Sequence, residues 1–317
     1  MDDLQLGGAR TPSGTGGTMK KEEIKKSKRP LVCSVSGGKD SVATALWLRE
    51  NGFEKTNPIF YVFADTGWEH PSLYKYLDEV VEPLLGKNFY RVKSKKYPGG
   101  MAELAEDRGM FPSRMIRFCT QELKVFPIRD FIASLDGEPI NIVGIRAQES
   151  FRRSKMDEWE PGGPLGVDTW RPLIDWVVED VVEIHRRHNV KPCSLYLRDE
   201  LPASRVGCYP CIMSRKDEIR ALTQDDFGLV RIGQIQNLEQ KLGDAAQRRN
   251  PENTRPTFFQ SREQGAKNWP IDEVIAWSKT SHGGKQIELF VPANPSERGC
   301  QMWGLCDLPD EDGNFTA

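Results

Sequence analysis

The stretch from Pro30 to Asn51 constrains this chain more than any other. Leu31-Val32-Cys33-Ser34-Val35 is an apolar run of strand length, stopped by Ser36-Gly37-Gly38. Ser41 to Asn51 then carries Val42, Ala45, Leu46 and Trp47 in helical register. A strand that passes through a glycine turn directly into a helix opens a βαβ unit. The alternation continues: residues 58–63 predict a second buried strand ending at Asp65-Thr66-Gly67, and residues 71–85 a helix. Residues 89–92 predict a third strand, 120–135 a helix, and 140–145 a fourth strand. A further strand over 170–174 and a helix over 178–188 follow. Strands alternating with helices of this length predict an α/β fold with a doubly wound, mostly parallel sheet.

Composition sets the outer bounds. At about 100–200 residues per domain, 317 residues suggest two domains, or one large one with an insertion. Hydrophobic residues make up 38%, enough for a core and too many for wholesale disorder. No apolar run reaches the roughly eighteen residues that a membrane helix requires. Charges nearly cancel, 44 Lys and Arg against 46 Asp and Glu, which argues against general nucleic-acid binding but leaves a local basic face open. The seven cysteines are an odd number. With no secretion signal they predict metal ligation or redox chemistry in a reducing cytoplasm rather than a disulfide framework.

Ser36-Gly37-Gly38-Lys39-Asp40-Ser41 has the composition of a phosphate cradle. Its glycines let backbone N–H groups turn toward an anion. The helix behind it offers unsatisfied N–H groups and its positive dipole end to the same anion. Lys39 adds a positive charge, and Ser36 and Ser41 add hydroxyl donors. The spacing is not that of the Walker loop.

SGGKDS resembles the PP-loop of the adenine nucleotide α-hydrolase superfamily. Three later segments resemble its phosphoadenosine phosphosulfate (PAPS) reductase branch, in the same order. They are Phe63-Ala64-Asp65-Thr66-Gly67-Trp68; Arg117-Phe118-Cys119-Thr120 with Leu123, Lys124 and Pro127; and Gly144-Ile145-Arg146 with Glu149, Ser150 and Arg153. The resemblance covers about residues 30–215. It implies an adenine nucleotide held at the carboxyl ends of the strands by Ser36 to Ser41, Asp65, Thr66, Gly67, Arg117, Lys124, Gly144, Arg146 and Arg153. Lys39, Asp40, Asp65 and Arg146 are the candidate catalytic residues. Guanidinium groups suit phosphate and sulfate oxygens, although a surface ion pair is the ordinary role of any single arginine. For Asp65 the competing role is to cap the next helix.

The resemblance leaves the reaction open. Similar sulfonucleotide reductases often carry an altered loop, a carboxyl-terminal ECG[IL]H-like signature and, in cluster-bearing members, adjacent cysteines. This chain has an intact loop and neither of the other features. The intact loop suggests cleavage of ATP to AMP and pyrophosphate, with Mg²⁺ held by Asp40 or Asp65. The acceptor oxygen so activated would be displaced by sulfur, as in relatives that thiolate tRNA or insert sulfur into DNA. Reduction of PAPS or adenosine phosphosulfate (APS) to sulfite with a thioredoxin-like donor is the alternative. A nucleotide- or nucleic-acid-binding module without turnover is a third reading.

Cys208-x-x-Cys211 is a knuckle that places two thiolates on one ion or cluster, and Cys300 with Cys306 forms a second pair. Together they predict a four-thiolate site for a [4Fe–4S] cluster or, alternatively, Zn²⁺. Cys33 is expected to be a core thiol, Cys119 to pack near the nucleotide, and Cys193 to be a loop thiol and candidate fifth ligand. His185 and His188 are expected on an exposed helical face. Residues 248–267 interleave basic residues with Phe258 and Phe259, a mixture suited to base stacking or to a mobile basic loop. The expected organisation is a flexible extension over 1–29, with Met19 a second candidate start. A nucleotide-binding domain over 30–195 and a cysteine-bearing helical region over 196–317 complete it.

Overall fold

The structure, a computed structural model, describes residues 21–198, 201–260 and 268–280. Its centre is a sheet of β1 (Leu31–Ser34), β2 (Ile59–Asp65), β3 (Phe89–Lys93), β4 (Ile140–Val143), β5 (Trp159–Glu160) and β6 (Thr169–Trp170). The order across it is β3-β2-β1-β4-β6-β5. All neighbours run parallel except β5, which turns back on β6 at the edge. β1 lies in the middle, with Leu31 opposite both Ile59 and Ile140. Its Leu31, Val32 and Cys33 are fully buried, because helices cover both faces of the sheet and leave no polar side.

The helices are α1 (Lys21–Ser27), α2 (Lys39–Glu50), α3 (Pro71–Tyr76), α4 (Glu82–Leu85), α5 (Met101–Arg108), α6 (Phe118–Thr120), α7 (Phe126–Ala133) and α8 (Val178–Arg187). α9 (Lys216–Ala221), α10 (Asp226–Arg249) and α11 (Ile271–Ser278) complete the set among the described residues. α2, α3 and α8 cover one face through Val42, Leu46, Leu73, Val181 and Ile184. α7 covers the other through Ile128, Phe131 and Ile132 against Val32 and Val62. From β1 the chain winds outward through β2 to β3, then crosses back to β4 on the other side of β1. That reversal opens a crevice above the carboxyl ends of β1 and β4, where such sheets bind ligands.

A second core gathers α5, α9, α10, α11 and the hairpin of β7 (Phe259–Gln260) and β8 (Asn268–Trp269). Trp68, from the loop after β2, stacks on Phe258 at 5.9 Å and carries the Arg231 guanidinium of α10 at 3.8 Å over its ring. The carboxyl end of β2 is thereby fastened to α10. No helix among the described residues is long and apolar enough to cross a membrane.

Four expectations are corrected. The extension expected to be flexible over 1–29 ends in helix α1, because its one apolar side chain, Ile24, finds a fully buried slot in the sheet core. His185 is not on an exposed face but 1% exposed, since α8 turns it inward onto the start of α2. Residues 248–267 do not offer stacking rings: Phe258 and Phe259 are 1% and 6% exposed and belong to the second core. Arg255 of that stretch pairs with Asp244, while Arg262 and Lys267 lie outside the described residues. Cys193 is a fully buried core thiol whose Sγ contacts the Ser72 carbonyl, so it is no fifth ligand. Cys33 is buried as expected.

Candidate functional site

β1 ends where its pairing with β2 and β4 ends, and the chain turns at once into α2. Gly37 sits at φ +73°, a conformation that L side chains rarely adopt. The loop braces itself: the Ser41 hydroxyl accepts from the Ser36 amide at 3.1 Å and donates to the Gly38 carbonyl at 2.8 Å. α2 begins at Gly38 with no side-chain cap. Tyr196 Oη takes the Lys39 amide and the Gly38 carbonyl those of Ser41 and Val42, so the first turn leaves the Asp40 amide for an anion, as a phosphate site needs.

The exit of β4 closes the other side. A Cβ on Gly144 would lie 2.3 Å from Thr44 Oγ1 and 2.8 Å from the Asp40 carbonyl, so only glycine lets this strand end approach α2 so closely. Two residues on, Arg146 is 5% exposed and ion-paired with Asp40. The Lys39 ammonium lies 3.9 Å from the same carboxylate. Burial pulls the Lys39 ammonium below its ordinary pKa, and Asp40 pulls it partly back. Lys39, Asp40 and Arg146 thus form one buried charge cluster beside the loop.

Three residues that the sequence did not place at the site hold this cluster. Tyr196 Oη accepts from the amides of Lys39 and Val206 at 3.2 and 3.1 Å, and the Lys39 ammonium stands 4.8 Å over its ring. The Ser204 carbonyl accepts from Lys39 Nζ at 2.8 Å. His185 Nε2 lies 3.0 Å from the Lys39 carbonyl, and Nδ1 3.2 Å from that of Val190. Burial holds this imidazole below its ordinary pKa, hence neutral at pH 7. Nothing local in the sequence marks these residues, which meet Lys39 across long separations.

Asp65 ends β2 as expected. Its Oδ1 accepts from the Gly67 amide at 2.9 Å, and Oδ2 lies 3.0 Å from Lys93 Nζ. Burial alone would raise its pKa, but hydrogen bonds from Tyr74, the Gly67 amide and Lys93 outweigh it and hold the carboxyl below its ordinary value. Asp40 and Asp65 are both engaged by cations. Neither presents the free carboxylate that an octahedral Mg²⁺ takes from a protein, so the expected Mg²⁺ ligands do not fit as placed.

Tyr74 Oη lies 2.7 Å from Asp65 Oδ1 and 2.9 Å from Glu69 Oε2, so it joins the carboxylate that ends β2 to Glu69. Glu69 is 3% exposed and accepts from the Thr66 hydroxyl at 2.6 Å and the Trp68 amide at 3.1 Å. Cys208 pairs with Glu69 in an isolated bridge, and its Sγ is 3.5 Å from the Thr66 hydroxyl. The Met213 amide donates to Cys211 Sγ at 3.4 Å. Cys119 shares this neighbourhood, packing on the same core. Burial, reinforced by Cys208 and Cys211, pushes the Cys119 thiol up to about 11. The Cys208 thiol raises the pKa of Lys124 above its ordinary value more than burial lowers it. Lys124, expected at the nucleotide, thus also feels the charge of the thiols.

Soft donors, an N–H···S contact and a lysine counter-charge suit a thiolate-bound cluster or zinc. Among the described residues, however, no three His, Cys, Asp or Glu side chains converge as a closed metal group. Cys300 and Cys306, the expected second pair, lie outside the described residues. Arg117 is exposed at the start of α6, and Arg153 pairs with Glu149 on the loop after β4.

The chain is similar to several known proteins. The chain is 30% identical over 339 residues to an uncharacterised 37.8 kDa protein of Escherichia phage 186, spanning 87% of this chain and 96% of that one. It is 28% identical over 181 residues to the adenosine 5'-phosphosulfate reductase of Allochromatium vinosum, spanning 55% of this chain and 64% of the reductase. Among solved structures, the tRNA thiolase NcsA of Methanococcus maripaludis with its [4Fe-4S] cluster overlays with a TM-score of 0.41 at 16% identity, covering 83% of this chain and 85% of that one. Residues 30–214 match the phosphoadenosine phosphosulfate reductase domain, and over that span, more than half its length, the chain belongs to the PAPS reductase family.

Proposed function

We propose that this protein is an ATP-cleaving member of the family, splitting ATP into AMP and pyrophosphate to activate an acceptor for sulfur transfer. The intact loop carries the reading, set against the buried Lys39–Asp40–Arg146 cluster at the reversal of the sheet. The uncapped first turn of α2 and the loop amides receive the outer phosphates. An acceptor oxygen attacks the α-phosphorus, an O–P bond forms, and the bond to pyrophosphate breaks. Lys39 and Arg146 offset the charge that gathers on the departing pyrophosphate. Asp40 keeps both cations aimed at the loop. A sulfur nucleophile then displaces AMP from the acceptor.

Cys208, Cys211 and Cys119, with Cys300 and Cys306 as further candidates, would hold a [4Fe–4S] cluster or zinc. An iron–sulfur cluster supplies a site that binds sulfide or exchanges electrons. Lys124 balances thiolate charge there, and Glu69 with Tyr74 links the thiols to Asp65. The named relative that reduces APS favours one alternative, sulfite formation from APS or PAPS. Purified protein incubated with ATP, Mg²⁺ and candidate acceptors should release pyrophosphate, and Lys39→Ala should abolish it. Sulfite from APS or PAPS, with no pyrophosphate from ATP, would instead establish the reductase.

A further inference from the structure

Two loops on the carboxyl edge of the sheet carry the same unusual pattern. In the first, Met115 and Ile116 are 89% and 57% exposed, with Arg114 before them and Arg117 after. A tight turn presents them: the Ser113 amide donates to the Ile116 carbonyl at 3.0 Å, and the Ile116 amide donates to Ser113 Oγ at 3.0 Å. Phe111, buried against Phe258 at 5.5 Å, anchors the turn in the second core. In the second loop Phe151 is 81% exposed and followed by Arg152, Arg153 and Lys155. The Ser154 hydroxyl donates to the Phe151 carbonyl at 2.8 Å, and Lys155 Nζ stands 5.4 Å from the ring centre. Of the acidic residues that follow, Asp157 is exposed, Glu158 accepts from Trp170 Nε1 at 2.9 Å, and Glu160 pairs with Arg171, so three cations stand against one free-standing carboxylate on this loop.

Both loops are ordered by their own hydrogen bonds, and both expose apolar surface beside cations, Met115 and Ile116 between Arg114 and Arg117 and Phe151 ahead of Arg152. Isolated exposed apolar residues are common, but two such tips with matching charge on one edge are not explained by chance exposure. Topology places them on opposite sides of the nucleotide loop. The first leads through α6 into α7, which packs against β2 and β3. The second follows β4. The nucleotide loop, at the end of β1, lies between β2 and β4. The first loop ends two residues before Cys119, and the second begins five residues after Arg146.

We propose that these loops form a binding surface for single-stranded nucleic acid, laid across the mouth of the nucleotide site. Phe151 stacks on one base, Met115 and Ile116 wedge against another, and Arg117, Arg152 and Lys155 meet the phosphates. The pattern is that of a sequence-tolerant single-strand site, rings for bases beside cations for the backbone. A duplex hides its base faces and fits poorly. This assignment rests on the acceptor-activating reading above and names the acceptor class, replacing residues 248–267, whose rings are buried.

The test is fluorescence anisotropy of the full chain with dye-labelled single-stranded RNA and DNA of about fifteen nucleotides and a duplex of the same length, without ATP. Single strands should bind more tightly than the duplex. Phe151→Ala should weaken binding about 5- to 150-fold, the range expected for one lost stack. The Met115→Ser/Ile116→Ser double variant should also weaken it. A plot of log affinity against log salt should have a slope of about −2 for three phosphate contacts, flattening by about 0.7 in Arg152→Gln. ATP binding, measured in parallel, should stay unchanged in Phe151→Ala and Arg152→Gln, which shows that they fold. Absence of single-strand binding, or binding indifferent to Phe151→Ala and to salt, overturns the proposal. So does a concentration-dependent dimer that Phe151→Ala converts to monomer, since a second copy would then be the occupant. Oligonucleotide binding without pyrophosphate release would refute the ATP reading and leave the surface standing.

Discussion

Gly144→Ala tests the packing that builds the site. The added Cβ would lie 2.3 Å from Thr44 Oγ1, 2.8 Å from the Asp40 carbonyl and 3.1 Å from Ser41 Cα. Thr44 cannot rotate away freely, because its hydroxyl donates to the Asp40 carbonyl at 2.8 Å. The other two contacts are backbone, so α2 and the end of β4 must part by roughly 0.5–1 Å. Overpacking of this kind costs about 1–3 kcal/mol. At about 2–4 °C per kcal/mol, the melting temperature should fall by roughly 2–12 °C. The displaced atoms belong to the loop and the first turn of α2. Turnover should therefore fall further than stability does, by up to about 100-fold, since small misplacements at a reacting centre are felt strongly. Thermal melts with and without ATP, followed by initial rates at a temperature where the variant is folded, separate the two effects. An unchanged melting temperature together with unchanged ATP affinity would refute the close approach of β4 to α2.

Tyr196→Phe removes the acceptor for the Lys39 and Val206 amides, so about 1–3 kcal/mol of stability should be lost per orphaned group, read as a lowered urea midpoint and weaker ATP binding. Asp65→Asn should destabilise the protein at pH 7. The folded pKa of Asp65 lies below its unfolded value, so its contribution is present above about pH 4 and lost as pH falls through the folded pKa. The stability gap between wild type and variant should close on acidification, and a gap that widens would contradict the assignment. Cys208→Ser and Cys119→Ser should each lower the iron or zinc bound per chain in anaerobic preparations. Full metal content in Cys119→Ser would return the ligand role to Cys300 and Cys306.

What could be read from the sequence was local. β1, the glycine turn and α2 were legible because strand length, Gly37 and the helical register of Val42 to Trp47 lie within twenty residues and need no partner. The parallel sheet followed from alternation, but β5 and β6, of two residues each, are too short for any period to show. Tyr196 and His185 were missed because they reach Lys39 across 157 and 146 residues. Residue type could not separate Phe151 from Phe258 and Phe259. Each stands near basic residues, yet only the latter two have Trp68, Phe111 and α10 to bury them. Cys119 was read as packing near the nucleotide, and its partnership with the knuckle depends on how α6 docks on the second core.

The central claim is that the nucleotide is ATP and that it breaks between the α- and β-phosphates. Incubation with ATP radiolabelled at the α-phosphate, followed by separation of the products, addresses it directly. The account predicts label in AMP and transiently on an oligonucleotide acceptor, equimolar pyrophosphate, and neither in Lys39→Ala. Label in ADP, or turnover that survives Lys39→Ala, would contradict it.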